Sequence, residues 1–189
     1  MLTGGSAAEQ LYLALAVGHE FRKINGLQIL FGDERCVPPD HPESNFGLVM
    51  RTLLRDGLPP SWSLLRMNAE NPDPEVAAAA YEAILPESVD VLLLSMGTDG
   101  HIASLFPGSS ALFQGRRRVV HVVAPKPPFE RLTVTPSVIM KARHVFVMAL
   151  GKDKAAVYEQ AKLAPSNISE LPARLVLEAT WFLDTHSRI

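Results

Sequence analysis

Cysteine is almost absent from this chain. Cys36 is the only one, which excludes an internal disulfide or a multi-cysteine zinc site and fits a reducing, cytoplasmic compartment. A lone thiol needs an activating partner to act as a nucleophile, so Cys36 is read as a small buried apolar residue. No apolar run reaches the ~18 residues of a membrane span. The N-terminus has no basic region followed by an apolar stretch, so neither a secretory leader nor a membrane partner is expected. A formal net charge of -2 gives no general reason to bind nucleic acid. The local run Arg116, Arg117 and Arg118 is read as a solvated loop or strand entrance. Familiar catalytic and nucleotide signatures are missing as well: there is no G-x-S-x-G, no H-E-x-x-H, no G-x-G-x-x-G after a strand and no G-x-x-x-x-G-K-[ST].

What is present is a chain of 189 residues, 47% hydrophobic and 20% charged, long enough to bury a sizeable core. Apolar runs alternate with helical patterns along its whole length. Strands are expected at Leu27 to Phe31, Trp62 to Met67, Val89 to Leu94, Val119 to Ala124, Leu132 to Thr135, His144 to Leu150 and Thr180 to Leu183. Helices are expected at Ala7 to Val17, Glu43 to Arg55, Glu75 to Ile84 and Lys152 to Leu163, with short ones after the Asp99 to His101 turn, at Pro136 and at Pro172. The alternation predicts one α/β domain over residues 1–189, a doubly wound, mainly parallel sheet with helices on both faces.

Ligands of open α/β sheets collect at the carboxyl ends of strands, and four polar clusters fall there. Gly4, Gly5 and Ser6 precede a helix, a geometry that suits phosphate, although Gly-Gly-Ser alone is a common turn. Asp33, Glu34 and Arg35 follow the Leu27 to Phe31 strand. Asp99 and His101 sit in a glycine-rich turn after Val89 to Leu94, which makes His101 the first candidate acid/base. Lys152 and Lys154 follow Gly151. Arg131, read as a loop residue, adds a guanidinium whose fork suits phosphate oxygens. His121 and His144 lie in apolar strands and are read as structural, whereas His41 is in a proline loop near the expected site.

These residues as a set resemble the 6-phosphogluconolactonase family and the related glucosamine-6-phosphate isomerase and deaminase group. The resemblance rests on LTGGS, FGDERCVPPDHPESNF, MGTDGHIASLFPGSSAL, RLTVTPSVI, ALGKDKA, and LPARL followed by WFLD, in that order. It implies hydrolysis of 6-phospho-D-glucono-1,5-lactone to 6-phosphogluconate, the second step of the oxidative pentose phosphate pathway, without metal or organic cofactor. It casts His101 as the base, Asp33 and Arg35 as an acidic-basic pair at the sugar, and Arg131 with Lys154 as the phosphate grip. Gly5 and Ser6 resemble the phosphate loop, and Asn45 and Asp99 join the substrate-binding group. The expected partner is a phosphorylated sugar lactone, bound by a monomer or homodimer.

Two departures from the family pattern stand out. Relatives usually carry a helix and most of a strand before Gly-Gly-Ser, where this chain has only Met1, Leu2 and Thr3; an N-terminal truncation and an unpaired strand edge are therefore expected. Ala7 and Ala8 also replace the threonine and proline that often follow Gly-Gly-Ser. Two rival functions remain. A glucosamine-6-phosphate isomerase or deaminase needs a further carboxylate where this chain has Phe106. A non-catalytic sugar-phosphate-binding domain would have no need of both Asp33 and His101.

Overall fold

The computed structural model describes residues 1–163 and 167–184. Its elements run α1 (Ser6–Val17), α2 (His19–Arg22), β1 (Gln28–Ile29), β2 (Asp33–Arg35), α3 (Asn45–Arg51), β3 (Ser63–Leu64), α4 (Pro74–Ile84), β4 (Val91–Ser95), β5 (Val119–Val123), β6 (Glu130–Val134), α5 (Pro136–Ile139), β7 (His144–Ala149), α6 (Lys152–Leu163) and β8 (Thr180–Leu183). Short 3-10 turns cover Ser110–Phe113 and Pro172–Val176. No helix among the described residues is long and apolar enough to cross a membrane.

Strands β4, β7 and β8 pair in parallel, as do β1 and β3. Met1, Leu2 and Thr3 join the two groups. Leu2 donates its N–H to Leu30 and accepts from Gly32, while Met1 donates to Val91 and accepts from Leu93. The expected unpaired edge is therefore not found at this segment, because both of its sides carry parallel ladder bonds. Leu92 and Leu94 enter one apolar cluster with Val147 and Ala149, whereas Leu93 and Met148 face the other with Tyr12, Phe31 and Val49. Period-two alternation between two apolar faces is why these strands read as unbroken hydrophobic runs.

A second, antiparallel sheet was not foreseen. β2 pairs with β6 and β6 with β5, so Asp33, Glu34 and Arg35 form a strand rather than a polar loop. Arg131, expected in a loop, lies in β6 directly opposite Arg35. α3 is also shorter than the sequence pattern predicts. Ser44 caps it by accepting from the Gly47 N–H, and the buried Glu34 carboxylate accepts from the N–H groups of Asn45 and Phe46. No α-helix follows the Asp99 to His101 turn directly; Ile102 makes short bridges to Met96 and Leu105, and the 3-10 turn comes later.

Two buried tyrosines fasten the strand ends that lead into polar loops. The Tyr12 hydroxyl donates to the Thr3 carbonyl at 2.7 Å and accepts from the Thr3 N–H at 3.0 Å. Tyr81 makes the same double contact with Phe31, at 3.0 Å and 2.8 Å. Burial pushes both phenols above their ordinary range, so they stay protonated donors. Each fastened residue stands just ahead of a cluster, Gly4 to Ser6 in one case and Asp33 to Arg35 in the other.

Candidate active site

The ends of these strands enclose a cavity of about 340 Å³, within the range of small-molecule sites. Gly5, Ser6, Asp33, Arg35, His101, Arg131 and Lys154 all line it, so seven of the nine residues singled out from sequence come together. The other two lie outside its lining, Asn45 buried behind the wall and Asp99 exposed beside it in a neighbouring cavity. Asp99 holds His101, and Asn45, almost fully buried, holds Asp33.

His101 is oriented from several sides. Its Nδ1 lies 2.5 Å from Asp99 Oδ1, and the same oxygen accepts from the His101 backbone N–H at 3.3 Å. With Nδ1–H donating to a carboxylate, the lone pair falls on Nε2, the form a general base requires. Burial alone would raise the Asp99 carboxyl, but the hydrogen bond and charge of His101 hold it at about 2. The imidazole also lies over the position a Gly97 side chain would occupy. A Cβ there would come within 2.2 Å of both Cε1 and Nδ1. On another side the ring packs against Phe106, with centroids 4.9 Å apart.

Asp33 is held by both oxygens: Asn45 Nδ2 donates to Oδ1 at 3.1 Å and Ser104 Oγ to Oδ2 at 2.8 Å. A buried carboxylate paired this way is fixed in place without consuming a cation. Arg35 donates through Nη1 to the Glu43 carbonyl and lies 3.8 Å from its carboxylate. Arg131 donates through Nε to the Pro128 carbonyl at 3.0 Å. Burial, and then the charge of Arg35, lower the Arg131 guanidinium below its ordinary value; burial lowers Lys154 likewise. Cations crowded and desolvated in this way favour an anionic partner.

The sequence reading missed Lys126 and Glu43, which also line the cavity. Lys126 sits in a proline-rich loop without periodicity, and only the return of β6 alongside β2 brings that loop over the site. With it, the wall carries Arg35, Lys126, Arg131 and Lys154 against Asp33 and Glu43. The balance is positive. Gly5 adopts φ 97, a left-handed conformation that glycine tolerates, and α1 begins there with no side-chain cap on its first N–H groups. Those amides add a further anion-binding feature. Arg35 Nε and Ser95 Oγ in the wall, and Asn45 Oδ1 behind it, are buried without a hydrogen-bond partner among the described residues; Arg117 Nη2, remote from this cavity, is another such atom.

Other residues take structural roles. Cys36 is half-buried, and burial with the charges of Glu130 and Glu34 raises its thiol to about 11, far from a nucleophile. His121 pairs with Glu130, and His41 accepts from the Glu43 N–H outside the cavity. Arg117 pairs with Glu82, and Arg118 donates to the Leu85 and Pro86 carbonyls, so the arginine run fastens the end of α4.

Residues 1–183 match the family described as glucosamine-6-phosphate isomerases/6-phosphogluconolactonase. The 6-phosphogluconolactonase of Homo sapiens is 41% identical over 169 residues, 82% of this chain and 64% of the human protein. That of Haemophilus influenzae is 31% identical over 194 residues, covering 97% of this chain and 83% of the relative. This chain thus spans just under two thirds of the human relative's length. Among solved structures, 6-phosphogluconolactonase from Trypanosoma cruzi superposes with a TM-score of 0.79 at 31% identity, covering 98% of this chain and 81% of that one. A monomeric glucosamine-6-phosphate deaminase shares the fold, with a TM-score of 0.82 at 21% identity over 98% of this chain and 85% of that one.

Proposed function

From the premise that this chain belongs to the glucosamine-6-phosphate isomerase and 6-phosphogluconolactonase family, we propose that it hydrolyses 6-phospho-D-glucono-1,5-lactone to 6-phospho-D-gluconate. The observation that carries this reading is the meeting, in one cavity, of an Asp99-oriented imidazole with the cations Arg35, Lys126, Arg131 and Lys154. Relatives named 6-phosphogluconolactonase support it.

In this reading the phosphate is held by Lys154, Arg131, Lys126 and the first amides of α1, which leaves the lactone ring toward His101. His101 Nε2 takes a proton from water as the oxygen attacks the C1 carbonyl. The resulting oxyanion is stabilised by Arg35 or by N–H groups of the glycine-rich turn. The imidazolium then gives its proton to the ring oxygen as the C1–O5 bond breaks, so one histidine serves both halves. Asp33, already fixed by Asn45 and Ser104, orients a sugar hydroxyl or the attacking water. Water and the lactone supply every atom of the product, and the new carboxylic acid loses its proton to solvent.

Phe106 lies against His101 at the place where the deaminase reading needs a carboxylate, and an apolar ring cannot shuttle a proton. The test is initial-rate lactone hydrolysis above the spontaneous rate, run beside ammonia release from glucosamine 6-phosphate. Enzyme-dependent lactone opening without ammonia is expected. Ammonia release, or lactone opening no faster than in buffer, overturns the reading. We also propose a cytoplasmic location, in line with the single cysteine, and a monomer or homodimer as the working unit.

A further inference from the structure

Phe106 touches both halves of the proposed machinery. It is almost fully buried. The His101 imidazole packs on it with centroids 4.9 Å apart at an interplanar angle of 45°, and the Arg131 guanidinium carbon lies 5.5 Å from its ring centre. Hydrophobic filling accounts for the burial. It does not account for a guanidinium and an imidazole on one ring, since aliphatic packing gives a guanidinium no preference for that position.

We propose that Phe106 is a positioning residue whose π-face holds Arg131 in register with His101 and favours the imidazolium over the neutral imidazole. The electron-rich face of an aromatic ring attracts cations within about 6 Å of its centre, and the attraction grows when the pair is desolvated. Arg131 carries its charge throughout, so its contact with Phe106 fixes where the phosphate-binding fork stands. In the proposed reaction His101 gains a proton from water and gives it up to the ring oxygen. A ring that stabilises the imidazolium therefore acts on the transition state more than on the resting enzyme. The inference rests on the role of His101 proposed above.

Other charges also face this imidazole. Asp99 approaches from its own turn, and Asp33, Arg35, Glu43, Lys126, Arg131 and Lys154 line the same cavity from β2, the loops, β6 and α6. A change in His101 titration is attributable to Phe106 only if these are left intact, so the informative substitution keeps the size of the ring and reverses the polarity of its face.

The experiment replaces Phe106 with pentafluorophenylalanine and, separately, makes Phe106→Leu. The His101 titration is followed by imidazole NMR, with kcat and KM measured for the lactone. In the fluorinated protein the protonation midpoint of His101 is expected to fall by about one unit and kcat by about tenfold, with KM raised as Arg131 loses its seat. Phe106→Leu should move each quantity in the same direction by less. A fluorinated protein whose titration, kcat and KM match the wild type overturns the proposal, whatever Phe106→Leu does, because it would reduce the ring to a space-filler. The NMR readout needs no turnover, so a wild-type protein that fails to open the lactone counts against the proposed reaction and leaves this test intact.

Discussion

Adding one methyl group at Gly97 should disable the site while leaving the fold in place. The built Cβ would stand 2.2 Å from Cε1 and Nδ1 of His101 and 2.7 Å from Asp99 Oδ1. Carbon atoms in contact prefer about 3.5–4.0 Å, so the imidazole must retreat by more than ~1 Å. Asp99 tethers Nδ1 on one side and Phe106 blocks another, so the retreat breaks the orienting hydrogen bond or displaces Phe106. Gly97 is not in a left-handed conformation, so alanine adds no backbone strain there. A misplacement of about 1 Å in a catalytic group costs on the order of a hundredfold in rate. Gly97→Ala is therefore expected to lower kcat about a hundredfold with little change in KM, measured by steady-state lactone hydrolysis beside a thermal melt. A variant that keeps kcat within about threefold of wild type would refute the claim that this ring must sit where it does.

Two further outcomes follow from the same geometry. Tyr12→Phe leaves the buried N–H and carbonyl of Thr3 without partners, which should destabilise the fold by about 2–4 kcal/mol in denaturant titration and raise KM by loosening the Gly4 to Ser6 turn; an unchanged midpoint would remove Tyr12 from the account. Burial lowers Lys154, whose charged form the phosphate grip requires. KM should therefore be flat at neutral pH and rise on the alkaline side before the ordinary lysine value of 10.5 is reached, a rise that Lys154→Arg abolishes. A KM that stays flat to that value contradicts the role given to Lys154.

Much of this site was legible in the sequence because its chemistry sits where local signals are strong. Apolar runs marked the strands, Gly-Gly-Ser and Gly-Thr-Asp-Gly-His marked their carboxyl ends, and the histidine in the second turn lines the cavity beside Asp99. What escaped depended on distant partners. Asp33 to Arg35 is three charged residues that no propensity makes a strand; β6, nearly a hundred positions later, does so by pairing with it. The same pairing turned Arg131 from a loop residue into a buried strand residue and carried Lys126 to the cavity. Asn45 and Asp99 were expected among the substrate-binding residues, but neither lines the cavity. Each grips a residue of the wall, a distinction set by side-chain direction, which residue type and spacing do not encode.

The most direct test compares wild type with His101→Asn in lactone hydrolysis, corrected for spontaneous opening. Loss of the oriented imidazole should lower kcat by about 10²–10⁴ while KM stays nearly constant, since in this account Arg131, Lys126 and Lys154 still hold the phosphate. A His101→Asn enzyme that turns over at the wild-type rate would contradict the account at its centre.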